Sequence, residues 1–386
     1  MGKRDSKRRG SAAKSSGGRC EATDLRLLPE IDGLRDVPTF DDVSCTKAQI
    51  DAFDEYRDGS DEPQEVHLGC IVRLDRGFPL VVTSSEVFRA EHSVSFAKGK
   101  RREGDLLPAI GDWVAVRRAP GHDMGVILRV LPRRCAFERW RGKKRGERQV
   151  LAANIDTVLI VQALGAERDA LELVRDRIAR SMVLARDCGA DPVVVLTKSD
   201  RCGKDELASI VSELSKLTGP DMRIVVTSSF ENSGIDEVRS CVPRGTFAMI
   251  LGESGAGKST LINRLLGHDA MATSEVRERD DAGRHTTVAR VMLALPGACG
   301  VVADAPGLRS LPLVGHERGL AFSFPEVVEA SRSCRFNDCT HTHEPGCAVR
   351  EGVEAGAIES VRAEAFLSLA REMRVSAQSL DPDIRL

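Results

Sequence analysis

The chain has 386 residues, of which 41% are hydrophobic and 4% are aromatic, and its formal net charge is −2. This length predicts roughly two or three domains, each able to bury its own core. The scarcity of aromatic side chains argues against nucleic-acid binding dominated by base stacking. No apolar run reaches the ~20 residues that a membrane span needs, so we expect no membrane partner.

The eleven cysteines are scattered along the chain, except for three that lie with histidines between residues 334 and 347. This usage is typical of a reducing compartment with one metal site and is unlike a disulfide framework. The N-terminus is charged but lacks the apolar segment of a secretory signal. We therefore expect a cytoplasmic protein.

Residues 1–62 form a basic, Ser- and Gly-rich tail followed by an acidic extension. Such compositions seldom bury enough apolar surface to fold alone. We expect this part of the chain to be poorly ordered, with a weak helical pattern at Lys47–Tyr56.

Residues 63–132 contain short segments rich in valine and isoleucine and punctuated by glycine and proline. The predicted strands are Val66–Leu74, Phe78–Ser84, Asp112–Arg118 and Met124–Leu131. Several short strands at this spacing predict a small β-barrel, although the pattern alone also fits a fragment of a β-sandwich. Residues 133–150 follow as a basic linker, whose cations suit either a phosphate backbone or a solvated surface.

Residues 151–309 alternate between apolar strands and helical periodicity, which is typical of a mostly parallel sheet covered by helices. The predicted strands are Thr157–Val161, Pro192–Leu196, Arg223–Val226, Phe247–Leu251 and Gly300–Ala303. The predicted helices are Ala170–Cys188, Lys204–Leu217 and Ser259–Leu266. Residues 310–386 form a helical tail, with an amphipathic helix predicted at Ser360–Val375.

A phosphate-binding loop of the pattern G-x-x-x-x-G-K-S lies between a predicted strand and a predicted helix, which is the context that this motif requires. The candidate nucleotide-binding residues here are Gly252, Glu253, Ser254, Gly255, Ala256, Gly257, Lys258, Ser259 and Thr260. Glycines let backbone N–H groups converge on phosphate oxygens at a helix N-terminus. We expect Lys258 to contact the β- and γ-phosphates and Ser259 to bind Mg²⁺.

Two further segments fit the same phosphate site. The pattern D-x-P-G at residues 304–307 follows a predicted strand, so Asp304 can hold Mg²⁺ and the Gly307 N–H can approach the γ-phosphate. Thr286 or Thr287 can complete the Mg²⁺ shell, and the sequence does not choose between them. A solvent loop explains the segment around these threonines equally well.

The candidate base site is the segment Thr197–Asp200, at the end of another predicted strand. Asp200 can accept two hydrogen bonds from guanine, a donor pair that adenine lacks, so it would select guanine. Lys198 would lie along the base plane, and Thr197 stands where asparagine is more usual and would bind less strongly. Ser228 and Ser229 follow a third strand and can offer a backbone N–H to the base. Taken alone, the pattern T-K-x-D is better explained as a surface turn, and the serine segment is also a weak motif.

A cluster of three cysteines and one histidine offers four protein ligands. These residues are Cys334, Cys339, His341 and Cys347. Three thiolates and an imidazole suit a tetrahedral structural Zn²⁺ ion and leave no open position for catalysis. His343 competes as a ligand, and a set of reduced, buried cysteines is the alternative.

The order of the motifs is unusual, because the base site precedes the phosphate loop. Together they resemble the circularly permuted GTPase family that depends on the small ribosomal subunit, known as RsgA or YjeQ, over about residues 66–375. The resemblance is carried by the phosphate loop, Gly-Arg-His-Thr-Thr at 283–287, Asp-Ala-Pro-Gly at 304–307, the Cys/His cluster, and Ala-Ala-Asn-Ile-Asp at 152–156.

The resemblance implies a multidomain fold: an N-terminal OB-fold barrel at 63–132, a permuted α/β P-loop GTPase at 151–309, and a C-terminal helical zinc module at 310–386. It implies a monomeric, Mg²⁺-dependent GTP hydrolase that binds GTP and GDP. Its partners would be the small ribosomal subunit and its rRNA, with hydrolysis stimulated by that subunit late in its maturation. It also makes His285 a catalytic candidate beside Lys258, because Leu308 stands where Ras-like enzymes place glutamine.

Two other functions fit the same motifs. The first is a nucleotide-dependent RNA-binding scaffold in which hydrolysis is incidental. The second is an ATPase whose base site has been misinterpreted.

Overall fold

The computed structural model describes residues 28–75, 78–92, 106–119, 121–141, 147–165, 171–271, 290–304 and 313–380. The predicted basic tail lies outside these ranges. The described residues before Arg35 belong to a separate compact unit and contain a short 3₁₀ turn at Ile31–Gly33. The other described residues belong to the second unit, Arg35–Leu386.

Five strands close into a barrel. Their bounds are β1 Val66–Asp75, β2 Phe78–Thr83, β3 Val87–His92, β4 Trp113–Arg117 and β5 Met124–Val130. They pair in the order β1-β2-β3-β5-β4, and the pairing of β4 with β1 closes the barrel, which confirms the barrel over the sandwich. Strand β3 was not predicted, because it carries charged residues. One of them, Arg89, is buried by an ion pair with Asp75 at 2.9 Å.

The basic stretch after the barrel folds into a hairpin, in which β6 Ala136–Arg141 pairs antiparallel with β7 Glu147–Ala153. The first two arginines of this stretch stabilise the fold through ion pairs. Arg133 is buried against the carboxylate of Asp112 at 2.6 Å, and Arg134 pairs with Asp156 at 2.6 Å. Arg133 is therefore not available to a phosphate backbone, contrary to what the charge pattern suggests.

Part of the acidic extension is well packed, so the expectation of poor order does not hold there. Helix α1 spans Lys47–Asp58 and begins with a capping box between Thr46 and Gln49. The Gln49 amide donates to the carbonyl of Pro132 at 3.0 Å. Phe53 is buried, although the helix has few apolar positions and its periodicity is weak. The extension therefore packs against the end of the barrel.

The α/β unit contains a six-stranded sheet in the order β10-β9-β8-β11-β13-β12. Its strands are β8 Thr157–Ala163, β9 Asp191–Thr197, β10 Arg223–Val226, β11 Phe247–Leu251, β12 Arg290–Ala294 and β13 Val301–Asp304. All neighbours pair in parallel except β12, which is antiparallel to β13 and also pairs with β1. The barrel and the α/β unit thus share one continuous sheet.

Within the described residues, four helices accompany this sheet. They are α2 Leu171–Asp187, α3 Lys204–Thr218, α4 Ile235–Ser240 and α5 Lys258–Leu266. The central strands are largely buried and rich in aliphatic residues, as expected for parallel strands covered on both faces. Because parallel strands end at the same edge, the carboxyl ends of β8, β9, β10, β11 and β13 lie there together.

The C-terminal helices are α6 Glu317–Ser323, α7 Pro325–Ser331, α8 Ala348–Glu354 and α9 Ser360–Leu380. The side chain of Arg362 joins them to the α/β unit. It donates to the carbonyls of Leu217 at 2.7 Å and Ser323 at 2.8 Å, and it binds the carboxylate of Glu326. Within the described ranges, no helix has the length and apolar character needed to cross a bilayer.

We expect Arg362→Ala to lower the free energy of unfolding by about 3–5 kcal/mol, because it leaves a carboxylate and two carbonyls without their buried partner. Urea denaturation checks this value. The matched control is Arg332→Ala, whose exposed pair with Glu329 should contribute less than about 1 kcal/mol. Equal effects of the two substitutions would show that Arg362 does not fasten the helices.

Candidate nucleotide site and metal cluster

The loop between β11 and α5 has the backbone shape that a phosphate cradle requires. Gly255 and Gly257 have φ values of +84° and +88°, which side-chain-bearing residues rarely adopt. A Cβ atom on Gly252 would lie 2.5 Å from the carbonyl oxygen of Val161. Lys258 Nζ donates to the carbonyls of Gly252 at 2.7 Å and Glu253 at 2.9 Å, which holds its ammonium group over the loop.

Two predicted oxygen ligands lie at the same edge of the sheet. Ser259 is in the first turn of α5. Asp304 ends β13 and pairs with Ile250, just before the loop begins. A hydroxyl and a carboxylate are hard oxygen ligands of the kind that Mg²⁺ prefers. His285, Thr286, Thr287 and Gly307 lie outside the described residues.

The loop after β9 is bonded directly to the phosphate loop. Thr197 is buried, and its hydroxyl donates to the carbonyl of Ala256 at 2.7 Å. Lys198 has a left-handed backbone conformation, with φ at 61°, and its Nζ donates to the carbonyl of Gly255 at 2.8 Å. Burial lowers the pKa of Lys198 below its usual value. The two predicted sites, distant in sequence, therefore form one continuous surface.

The carboxylate of Asp200 is exposed and held in place. It accepts a hydrogen bond of 2.6 Å from the hydroxyl of Ser228, and the Ser199 N–H donates to Thr227 at 3.2 Å. Ser229 follows, half-buried, in the turn after β10. The structure thus brings together the loops after β9 and β10, as the sequence predicts.

One contact of the phosphate loop was not predicted. Arg177, on α2, forms an ion pair of 2.8 Å with Glu253. Neither residue belongs to a motif that pairs them, and 75 residues separate them in the chain. No local signal in the sequence could have identified this contact.

The four predicted zinc ligands converge, and their ligand atoms all lie within 4.8 Å of one another. The Nδ1 atom of His341 lies 3.5 Å from the sulfurs of Cys334 and Cys347, and these sulfurs are 4.0 Å apart. With Zn–S and Zn–N bonds of about 2.3 and 2.0 Å, a tetrahedral ion needs separations of this size. The donors therefore fit a structural Zn²⁺ ion.

The surroundings of the cluster support this ligand set. His343 is not part of it; its Nδ1 atom lies 2.8 Å from the hydroxyl of Thr342. The carboxylate of Glu344 accepts hydrogen bonds from the backbone N–H groups of Thr340, Thr342 and His343 at 3.1–3.2 Å, which fixes the turn around His341. The candidate competing ligand is thus turned to a different partner.

The family model for the RsgA GTPase matches residues 130–314. A protein of Streptomyces coelicolor named small ribosomal subunit biogenesis GTPase RsgA is 40% identical over 304 residues, which cover 79% of this chain and 80% of that protein. A protein of the same name from Opitutus terrae is 42% identical and covers 72% of this chain and 75% of its own length.

Two solved structures share the fold. The crystal structure of YjeQ from Thermotoga maritima matches with a TM-score of 0.61 and 25% identity, over 80% of this chain and 99% of that chain. YloQ, described as a circularly permuted GTPase, matches with a TM-score of 0.57 and 21% identity, over 83% of this chain and 97% of its own. The fold is therefore a barrel, a permuted α/β P-loop unit and a helical unit that bears the Cys/His cluster.

Proposed function

This chain belongs to the RsgA GTPase family, and from that membership we propose that it is a Mg²⁺-dependent GTPase that binds the small ribosomal subunit and its rRNA. It would act late in the maturation of that subunit, as a monomer in the cytoplasm, and the subunit would stimulate its hydrolysis of GTP to GDP and phosphate. Relatives named for biogenesis of the small ribosomal subunit support this proposal.

One observation carries the proposal furthest. Hydrogen bonds from Lys198 to Gly255 and from Thr197 to Ala256 join the loop after β9, which carries the candidate base site, to the phosphate loop. A guanine ring against Asp200 and a phosphate chain in the loop would therefore belong to one bound molecule. A carboxylate at the position of Asp200 can accept two hydrogen bonds from guanine, whose paired donors adenine lacks, which supports GTP over ATP.

The candidate site residues would have different roles in phosphoryl transfer. Backbone N–H groups of the loop and the ammonium of Lys258 would bind the phosphates, while Ser259, Asp304 and one of Thr286 and Thr287 would hold the metal. Mg²⁺, when bound, neutralises charge on the phosphate oxygens. Water attacks the γ-phosphorus in line as the bond to the β–γ bridging oxygen breaks, and the N–H of Gly307 would stabilise the γ-phosphate oxygens.

A further group must orient the attacking water, because the residue after Gly307 is the apolar Leu308. We assign this role to His285 and expect His285→Ala to lower the subunit-stimulated rate of hydrolysis about 100-fold, as for loss of a positioned proton acceptor. Single-turnover hydrolysis on small subunits measures the effect. His122→Ala, which removes an exposed imidazole on the barrel, is the matched control, and a parental rate in His285→Ala would exclude the assignment.

The Cys/His cluster should bind one Zn²⁺ ion with a structural role. We expect elemental analysis to give one zinc per chain for the parent protein and none for Cys347→Ser, because a hydroxyl replaces a thiolate that Zn²⁺ prefers. The zinc-free variant should lose helical structure around α8, since ligand binding and local folding are coupled. Cys299→Ser, at a half-buried cysteine outside the cluster, should keep its zinc. Equal zinc content in both variants would contradict the assignment.

Sedimentation with purified small subunits tests the partner. We expect the protein to co-sediment when loaded with a non-hydrolysable GTP analogue and to stay largely in the supernatant with GDP. A scaffold with incidental hydrolysis would also bind, but the subunits would not change its single-turnover rate. Failure to bind with either nucleotide would contradict the proposal.

A further inference from the structure

The side chain of Glu253, the second residue of the phosphate loop, is bound by a residue outside the loop. Its carboxylate forms an ion pair of 2.8 Å with the guanidinium of Arg177, near the middle of α2. The side chain of Arg177 is 23% exposed and that of Glu253 is 43% exposed, so water screens this pair less than a pair on an open surface. The proposed GTPase chemistry does not require this carboxylate, because backbone N–H groups and Lys258 would bind the phosphates.

The backbone of Glu253 contacts the lysine of the phosphate loop. Its carbonyl oxygen accepts a hydrogen bond from Lys258 Nζ at 2.9 Å and another from the Ala256 N–H at 3.3 Å. Glu253 therefore binds Arg177 through its side chain and the ammonium of Lys258 through its backbone. A displacement of Glu253 would change the position of this ammonium group, and a misplacement of about 1 Å can lower a reaction rate about 100-fold.

Helix α2 is a firm support for this ion pair, because it packs closely against the C-terminal helices. A Cβ atom on Gly319 of α6 would lie 2.2 Å from the carbonyl oxygen of Val183, so the backbones of α2 and α6 are in contact. The Gly319 N–H donates to the carboxylate of Asp187 at 3.0 Å, and Arg180 pairs with Glu372 of α9. These contacts fix the position of α2, the helix from which the phosphate loop is bound.

We propose that Arg177 is a positioning residue for GTP hydrolysis, a role that rests on the proposed function. Its ion pair with Glu253 fixes the start of the phosphate loop against α2. The carbonyl of Glu253 in turn places the ammonium of Lys258 for the transferred phosphoryl group. Arg177 acts through these two residues and need not touch the nucleotide.

Loss of the ion pair should affect the chemical step more than GTP binding. The loop after β9 would still hold the base, whereas the contact of Lys258 with the transferred group strengthens in the transition state. We expect Arg177→Ala to lower the single-turnover rate at saturating GTP by about 5- to 10-fold. The GTP concentration that gives half of the maximal rate should change by less than about twofold.

Arg175→Ala is the matched control for this variant. Arg175 lies on the same helix, its side chain is 24% exposed, and it pairs with Glu213 of α3 at 3.7 Å instead of with the phosphate loop. The substitution removes the same charge and the same side chain from α2. It should leave the single-turnover rate at the parental value.

A double-mutant cycle with Lys258→Ala in the full-length protein tests how Arg177 acts. If Arg177 acts through Lys258, then adding Arg177→Ala to Lys258→Ala should lower the rate no further.

Three results would overturn the role of Arg177 while leaving the proposed GTPase activity intact. They are a parental rate in Arg177→Ala, a loss confined to GTP affinity, and an equal fold-loss from Arg177→Ala with and without Lys258. A parent protein that hydrolyses no GTP would instead overturn the proposed function, and the role of Arg177 with it.

Discussion

Lys258→Ala should lower the rate of GTP hydrolysis by about 100- to 1,000-fold, the scale on which loss of one preorganised electrostatic group acts. The ammonium of Lys258 is already held over the phosphate loop by the carbonyls of Gly252 and Glu253. It would therefore meet the charge that develops on the transferred phosphoryl group without reorganisation. Single-turnover assays with saturating GTP separate this loss from weaker binding.

The control for this variant is Lys216→Ala, which removes an exposed lysine from α3 and keeps the net charge change the same. It should hydrolyse GTP at the parental rate. The Lys258 variant should retain the parental unfolding curve, because the loop conformation depends mainly on glycines with positive φ. If Lys258→Ala hydrolysed GTP at the parental rate, the phosphate loop would have no role in hydrolysis.

Asp200→Asn should shift the base preference of the site from guanine towards xanthine. The carboxylate can accept two hydrogen bonds from guanine, and hydrogen bonds to charged groups contribute about 1.5–3 kcal/mol, so GTP affinity should fall by about 10- to 100-fold. An asparagine amide can donate to the O2 atom of xanthine, so affinity for xanthosine triphosphate should rise. The amide oxygen can still accept the bond from Ser228, which should keep the loop in place.

Competition among GTP, ATP and xanthosine triphosphate for a fluorescent nucleotide measures this change. Asp205→Asn, at an exposed acid near the start of α3, is the matched control and should prefer GTP as the parent does. Unchanged preference in Asp200→Asn would mean that another group reads the base. Equal affinity of the parent protein for GTP and ATP would favour the ATPase alternative.

Features that are contiguous in sequence could be predicted closely. The strands Arg223–Val226 and Phe247–Leu251 have the predicted bounds, because each is a short, largely apolar run that stands out from its neighbours in the sequence. The Cys/His cluster could also be predicted from the sequence, because its candidate ligands lie close together in the chain.

Features that depend on a distant partner were missed. Strand β3 contains Arg89, whose burial requires Asp75 on β1. The linker cation Arg133 was expected at the surface, but Asp112 neutralises it within the fold. Helix α1 has weak periodicity and is stabilised by Gln49 reaching Pro132. In each case the stabilising contact joins residues that are far apart in the chain, so the local sequence pattern could not predict it.

The permuted order places the C-terminal helices directly after the segment that follows Asp304. These helices also contact the α/β unit through side chains, and the order of the motifs in the chain does not by itself require those contacts. Arg362 reaches the end of α3, and Asp187 at the end of α2 binds α6. Because α2 also carries Arg177, which pairs with Glu253 of the phosphate loop, a single helix contacts both the loop and the C-terminal unit.

The proposed function requires the small ribosomal subunit to control hydrolysis at this site. The most direct measurement is the single-turnover rate of GTP hydrolysis against increasing concentrations of purified small subunits, with large subunits as the control. We predict a slow rate for the protein alone and a saturable rise of at least about 100-fold with small subunits, absent with large subunits. A rate that stays the same at saturating small subunits would contradict the account.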